Sequence, residues 1–127
     1  MASLLTRDQA GIFADRWAES WNRRDVEAVL AHFHDDVIFT SPTALAVVGS
    51  AVVSGKEFLR EYWNKAMTRI GSLRFAVDRV LWDAESRELA IIYTSTVDGN
   101  SRRMSENLKL NASGLVVSAE VFHGVPA

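Results

Sequence analysis

The sequence predicts an α+β fold in which three N-terminal helices cover one face of a curved antiparallel β-sheet and close a cone-shaped interior. Apolar residues recur at helical spacing as far as Ile70, whereas from Leu73 onward long β-type stretches alternate with turn residues. Size agrees with this. A chain of 127 residues, 48% of them hydrophobic, can bury one core without a disulfide or structural metal, so residues 1–127 are expected to form a single domain.

The elements follow in order. Thr6-Arg7-Asp8-Gln9 matches a capping box, and Phe13, Trp17 and Trp21 then recur every fourth residue with Ala10 and Ala14 beside them. Asn22-Arg23-Arg24 breaks this helix, Asp25 caps a second one, and Val26, Val29, Leu30 and Phe33 form its apolar stripe. Val37-Ile38-Phe39-Thr40 reads as a short strand ending before Pro42. The apolar run Ala44 to Val53, with Gly49-Ser50 in its middle, reads as a loop or small hairpin. Ser54-Gly55-Lys56-Glu57 matches a second capping box, after which Phe58, Leu59, Tyr62, Trp63, Ala66, Met67 and Ile70 trace a third helix ending at Gly71. Four strands are expected over Leu73 to Trp82, Glu88 to Val97, Arg102 to Leu110 and Leu115 to His123. Asp98-Gly99-Asn100 supplies a tight hairpin turn, and Asn111 to Gly114 a longer one.

Hairpin parity assigns the faces. A two-residue turn at Asp98-Gly99 or Gly99-Asn100 places Glu106 opposite Ile91 or Tyr93, and both registers put it on the face of Tyr93 and Ser95. A four-residue loop at Asn111 to Gly114 then sets Glu106 opposite Ala119, Met104 opposite Val121 and Arg102 opposite His123. The covered face collects Tyr93, Met104, Glu106, Leu108, Val117, Val121 and His123. The opposite face, with Ile92, Asn107, Lys109, Glu120 and Phe122, mixes polar and apolar residues as dimer surfaces do.

Composition removes several functions. With no Cys there is no disulfide framework, thiolate metal site or cysteine nucleophile, and a reducing, cytoplasmic location is expected. A net charge of −2 without a Lys/Arg block argues against nucleic acid, with Arg102-Arg103 too small a cluster. No segment resembles a secretion signal or a membrane span. Neither a GxGxxG nor a P-loop pattern occurs, and no nucleotide cofactor is expected. His32-Phe33-His34-Asp35-Asp36 lacks metal-ligand spacing, so no metal is expected. Ser41 has no glycine-flanked elbow around it.

Several motifs together resemble the nuclear transport factor 2-like superfamily, and within it the SnoaL-like and ketosteroid-isomerase-like proteins, whose fold is a cystatin-like α+β roll. They are Trp21-Asn22-Arg23-Arg24-Asp25, His32 through Pro42, Gly55 through Trp63, Glu106 through Leu110, and Gly114-Leu115-Val116-Val117. The resemblance covers nearly the whole chain and implies one such domain over 1–127. It leaves function open among isomerases, cyclases, epoxide hydrolases, dehydratases and non-catalytic binding domains. Aligned with the ketosteroid isomerases, the catalytic aspartate falls on Ser41 and the oxyanion-hole tyrosine on Trp17, both the wrong chemistry. The second oxyanion donor, a carboxylic acid held neutral by its apolar site, falls on Glu106. Steroid isomerisation itself is therefore not expected.

The resulting expectation is a domain that holds a small apolar or aromatic molecule, either as a cofactor-independent isomerase, lyase or cyclase or as a non-catalytic binding or dimerisation domain. Glu106, with Tyr93 and His123 assisting, are the candidate catalytic residues. Trp17, Trp21, Phe39, Ser41, Trp63, Met104 and Val121 are the candidate ligand contacts, although each Trp taken alone also fits plain core packing. His123 is placed about 10 Å or more from Glu106, at the mouth of the cone. Trp82 is expected at a sheet edge. A homodimer through the outer sheet face is the expected assembly.

Overall fold

The computed structural model describes residues 5–127. The chain runs α1 (Arg7–Asn22), α2 (Val26–Leu30), β1 (Phe33–Thr40), α3 (Pro42–Val48), β2 (Val52–Ser54), α4 (Lys56–Thr68), β3 (Leu73–Asp83), β4 (Glu88–Val97), β5 (Asn100–Leu110) and β6 (Val116–Pro126). The strands form one six-stranded sheet in the order β2-β1-β6-β5-β4-β3. All neighbours are antiparallel except β1 and β6, which run parallel. The helices cover the inner face of this curved sheet, α1 against β3 and α4 against β1.

Local chemistry explains the helix ends. Thr6 and Gln9 complete the capping box of α1, and Asp25 accepts the Ala28 amide at the start of α2. Between them Arg24 takes a left-handed φ of 58°, which makes the corner sharp. Asn22, at the end of α1, clamps β3 by donating to the Phe75 carbonyl at 3.0 Å and accepting the Phe75 amide at 2.7 Å. Arg24 reaches the last carbonyls of α4, Met67 O at 2.6 Å among them. Asn22 and Arg24, at the corner after α1, thus tie α1, β3 and α4 together.

Four sequence expectations change. The stretch after Thr40 is a helix followed by a short strand, so four helices precede the long strands. Ser41 caps α3 by accepting the Thr43 amide, Pro42 occupies the first turn, and Gly49 ends the helix at φ 81°. Second, Ser54 does not cap α4. It pairs with Ile38 in the sheet, and Gly55 makes the turn at φ 92°, a conformation favouring glycine. Third, Phe33 opens β1 instead of closing the stripe of α2.

The fourth change is the register of β6. Val97 pairs with Asn100 across the two-residue Asp98-Gly99 turn, so Glu106 faces Ile91. Across the next turn Glu106 faces Val121 and Met104 faces His123, two residues beyond the expected pairing, and a further irregularity makes Arg102 face Pro126, three beyond. One residue comes from the longer connection that makes Leu110 pair with Val116. The other comes from a bulge, because the neighbouring pair is Lys109 with Ser118. An even slip preserves the faces from Ala119 onward. Within the bulge the faces exchange: Val116 is fully buried and Val117 is only half-buried.

Candidate functional site

The inner face of the sheet has two unlike ends. Along β5 the inward residues run from buried Leu110 and Leu108 through Glu106 to half-buried Met104 and exposed Arg102 and Asn100. Leu89 and Ile91 of β4, Val116 of β6 and Phe33 of β1 pack the first end solid. Beyond Glu106 the packing opens into a cavity of about 390 Å³, within the range of small-molecule sites.

All ten candidate residues line this cavity: Trp17, Trp21, Phe39, Ser41, Trp63, Tyr93, Met104, Glu106, Val121 and His123. Its walls are interlocked aromatic rings. Trp17 lies edge-on to Tyr93 at 5.0 Å and stacks on Phe75 at 5.3 Å, and Trp63 lies edge-on to Trp21 at 4.8 Å and to Phe39 at 5.4 Å. Such pairs add about 0.5–1.5 kcal/mol each beyond burial, so the walls are stiff. The three Trp are nearly buried, yet the space they enclose stays open. Trp82 sits apart on the edge strand β3, its indole donating to the Leu5 carbonyl at 2.9 Å.

Glu106 is 5% exposed and accepts a hydrogen bond from the Tyr93 hydroxyl at 3.2 Å. Burial pushes its carboxyl up to about 8, and the Tyr93 hydrogen bond opposes part of that rise. The group is therefore mostly a neutral acid at pH 7. Burial and the adjacent carboxyl in turn push Tyr93 well above the usual phenol range. Tyr62 is pushed up to about 12, chiefly by burial and partly by the charge on Glu106, with the Ser41 hydroxyl acting the other way. Tyr62 is thus a second phenol in the electrostatic reach of Glu106.

Trp17 Nε1 is buried with no hydrogen-bond partner among the described residues. An unpaired buried N–H costs about 1–3 kcal/mol, and a ligand oxygen in the cavity would satisfy it. His123 is exposed at the mouth, and burial of part of the ring together with nearby Arg102 lowers its pKa. The corrected register makes it a diagonal neighbour of Glu106, closer than the sequence suggested, at roughly 7–8 Å between backbones. The Glu106 carboxyl nevertheless bonds to Tyr93 instead. Ser41, 3% exposed, uses its hydroxyl oxygen to cap α3.

Sequence reasoning missed Tyr62, Thr43, Phe75, Ser95, Asn100 and Arg102, which also line the cavity. Tyr62 was visible only as part of a helical stripe, which does not separate cavity wall from core. Thr43 and the neighbouring Ser41 reach the cavity because α3 exists. His32 and His34 lie elsewhere: His32 packs edge-on to Phe13, and His34 accepts the Asp36 amide. No group of three or more His, Cys, Asp or Glu able to hold a metal ion occurs among the described residues. A second, broader groove of about 820 Å³ lies on the outer sheet face, lined in part by Ile38, Leu81, Lys109, Glu120 and Phe122. It encloses no buried carboxyl.

A curved sheet wrapped on N-terminal helices around an apolar cavity is the roll of the nuclear transport factor 2-like superfamily. Within it the chain belongs to the SnoaL-like domain family, whose model matches residues 14–118. A SnoaL-like protein of unknown function from Burkholderia thailandensis is similar at 26% identity and TM-score 0.85, covering 97% of this chain and 100% of that one. A protein of unknown function with a cystatin-like fold from Methylobium petroleophilum shares the fold at 22% identity and TM-score 0.78, covering 98% and 82%. SalBIII, an epoxide hydrolase/cyclase-like enzyme of pyran ring formation in the polyether salinomycin, shares it at 17% identity and TM-score 0.73, covering 93% and 92%. No curated protein matches the chain in sequence.

Proposed function

We propose that this protein binds a small apolar or aromatic molecule in the inner cavity and acts on it as a cofactor-independent isomerase, lyase or cyclase. One observation carries the reading: a mostly neutral carboxyl, Glu106, stands in the wall of an open aromatic cavity. A neutral acid beside a ligand oxygen protonates it as charge develops, and its conjugate base removes a proton from carbon or oxygen in a second step. Tyr93 holds the carboxyl in place through its hydroxyl. Trp17 offers an indole N–H to an oxygen of the ligand. His123, at the mouth, exchanges protons with solvent. The epoxide hydrolase/cyclase-like SalBIII shares the fold, at an identity that transfers fold alone.

Screening polycyclic, terpenoid and aromatic metabolites by quenching of Trp fluorescence tests binding, because the walls themselves report it. With a ligand in hand, Glu106→Gln is expected to keep affinity and lose turnover. Unchanged turnover removes Glu106 from the mechanism. A second reading, a non-catalytic binding domain, draws on Ser41: its hydroxyl caps a helix where the isomerases carry their base. Under that reading ligands bind and leave unchanged.

The same proposal takes residues 1–127 as one cytoplasmic domain that does not engage nucleic acid. No helix among the described residues is long and apolar enough to cross a membrane. A homodimer through the outer face is proposed on its half-apolar groove, where Leu81 and Phe122 are 57% and 52% exposed. Sedimentation of Phe122→Asp, expected as monomer against a wild-type dimer, tests it.

A further inference from the structure

The mouth of the cavity carries a chemistry that its interior lacks. At the inner end the ionisable groups lining the cavity among the described residues are Glu106 and two tyrosines, the tyrosines neutral and the carboxyl mostly so at pH 7. Four residues along β5, on the same face, Arg102 lines the rim with His123 and Asn100 beside it. One Arg102 nitrogen donates to the Gly124 carbonyl at 2.8 Å, which holds the side chain while leaving the rest of the guanidinium fork open. Arg102 forms no ion pair among the described residues. The acid at the adjoining turn, Asp98, is turned onto the amides of Gly71 and Ser72, both at 2.8 Å. No carboxylate among the described residues therefore pairs with the cation at the mouth.

Given the reading of this cavity as a ligand site, we propose that its ligand is an organic acid, with a flat apolar body between the Trp walls and a carboxylate at the mouth paired with Arg102. A guanidinium fork matches the two oxygens of a carboxylate, and Asn100 and His123 offer further donors. The separation sets a length. Four strand residues span roughly 13 Å, so the acidic group and the atom presented to Glu106 lie at opposite ends of the ligand. An elongated aromatic or polycyclic acid fits this spacing, and a compact neutral hydrocarbon leaves the rim unpaired. Polarity also fits the direction of entry, because the charged end stays in contact with water while the apolar end is buried.

Pyrenebutyrate and its primary amide form a matched pair of probes, read by energy transfer from Trp to pyrene. The full chain at low ionic strength is expected to bind the carboxylate about tenfold more tightly than the amide. Raising the salt concentration is expected to narrow the difference, since the pair at the rim is partly screened. Arg102→Gln is expected to weaken the carboxylate by about the same factor and leave the amide unchanged, and Arg102→Lys to recover part of it. Equal binding of acid and amide by the wild-type protein overturns the organic-acid proposal while the cavity reading stands. Binding of neither probe overturns both. An acid preference that survives Arg102→Gln overturns the role of Arg102.

Discussion

The two ends of the inner sheet face are built on the same strands and do opposite things. At one end Leu89, Ile91, Leu108 and Val116 are at most 2% exposed and meet in a packed layer. At the other, two to seven residues along the same strands, Tyr93, Ser95, Met104, Arg102 and His123 surround open space. The first end uses its apolar area to stabilise the fold. The second forgoes that stabilisation and leaves Trp17 Nε1 buried without a hydrogen-bond partner among the described residues, which costs free energy that a ligand can return, while the exposed rim guanidinium has no ion-pair partner among them. Glu106 stands at the border, and the largest expected effect arises there.

Below pH 4.5 folded and unfolded chains both carry a neutral Glu106. Between 4.5 and about 8 the unfolded chain ionises while the folded one stays neutral, so stability falls as pH rises, and it levels off above about 8. The slope is about 1.4 kcal/mol per pH unit across that window, a loss of several kcal/mol. Glu106→Gln is expected to lack this dependence and to exceed the wild type in stability at pH 9, read from urea melts at several pH values. If wild type and variant share one pH profile, the carboxyl is not held neutral by burial. The same value sorts the chemistry: turnover limited by a general acid falls through pH 8, and turnover limited by a general base rises toward it.

At the packed end, Leu108→Ala is expected to cost about 3 kcal/mol, because a leucine 2% exposed leaves a cavity when truncated. Ligand affinity per folded molecule should stay near wild type, since Leu108 is not a cavity residue. Urea unfolding and probe binding on one preparation separate the two effects. A large loss of affinity would show that the two ends are coupled.

Much of this division was legible in the sequence, for physical reasons. Turn chemistry at Asp98-Gly99 determines the parity of Glu106, because a strand has a period of two and a tight hairpin has few registers. Capping residues marked α1 and α2 in the same way. The β6 register was not legible, since a bulge at Val117 leaves no distinctive residue behind. The even slip it helps create moved His123 two places without turning it off the inner face. α3 was obscured by its run of Ala, Leu and Val, although Ser41-Pro42 is a cap followed by an N1 proline and could have revealed it. In sequence Arg102 and Arg103 read together as a small basic cluster. Strand parity in fact separates them, Arg102 to the cavity rim and Arg103 across the sheet to Thr94 and Asp78.

A smaller effect is expected at the cavity wall. Trp17→Phe removes the buried N–H that has no protein partner, so the protein loses no internal hydrogen bond. Affinity for an oxygen-bearing aromatic ligand should fall about tenfold, near 1.4 kcal/mol, while a hydrocarbon of the same shape is affected less. Titrations with anthraquinone and anthracene make the comparison. Equal losses for both would reduce Trp17 to shape alone.

The smallest expected effect on the fold is at the rim. Arg102 is exposed and has one hydrogen bond, to a carbonyl near the end of β6, so Arg102→Gln should change stability by no more than about 0.5 kcal/mol. Thermal unfolding in the absence of ligand measures it. The value matters in relation to Leu108→Ala, six residues along the same strand, which is expected to cost several times more. A strand whose inward residues lose energetic weight toward the mouth has residues free to face a ligand. A loss at Arg102 comparable with that at Leu108 would mean that the guanidinium holds the end of β6 to the sheet, and the rim would then belong to the fold.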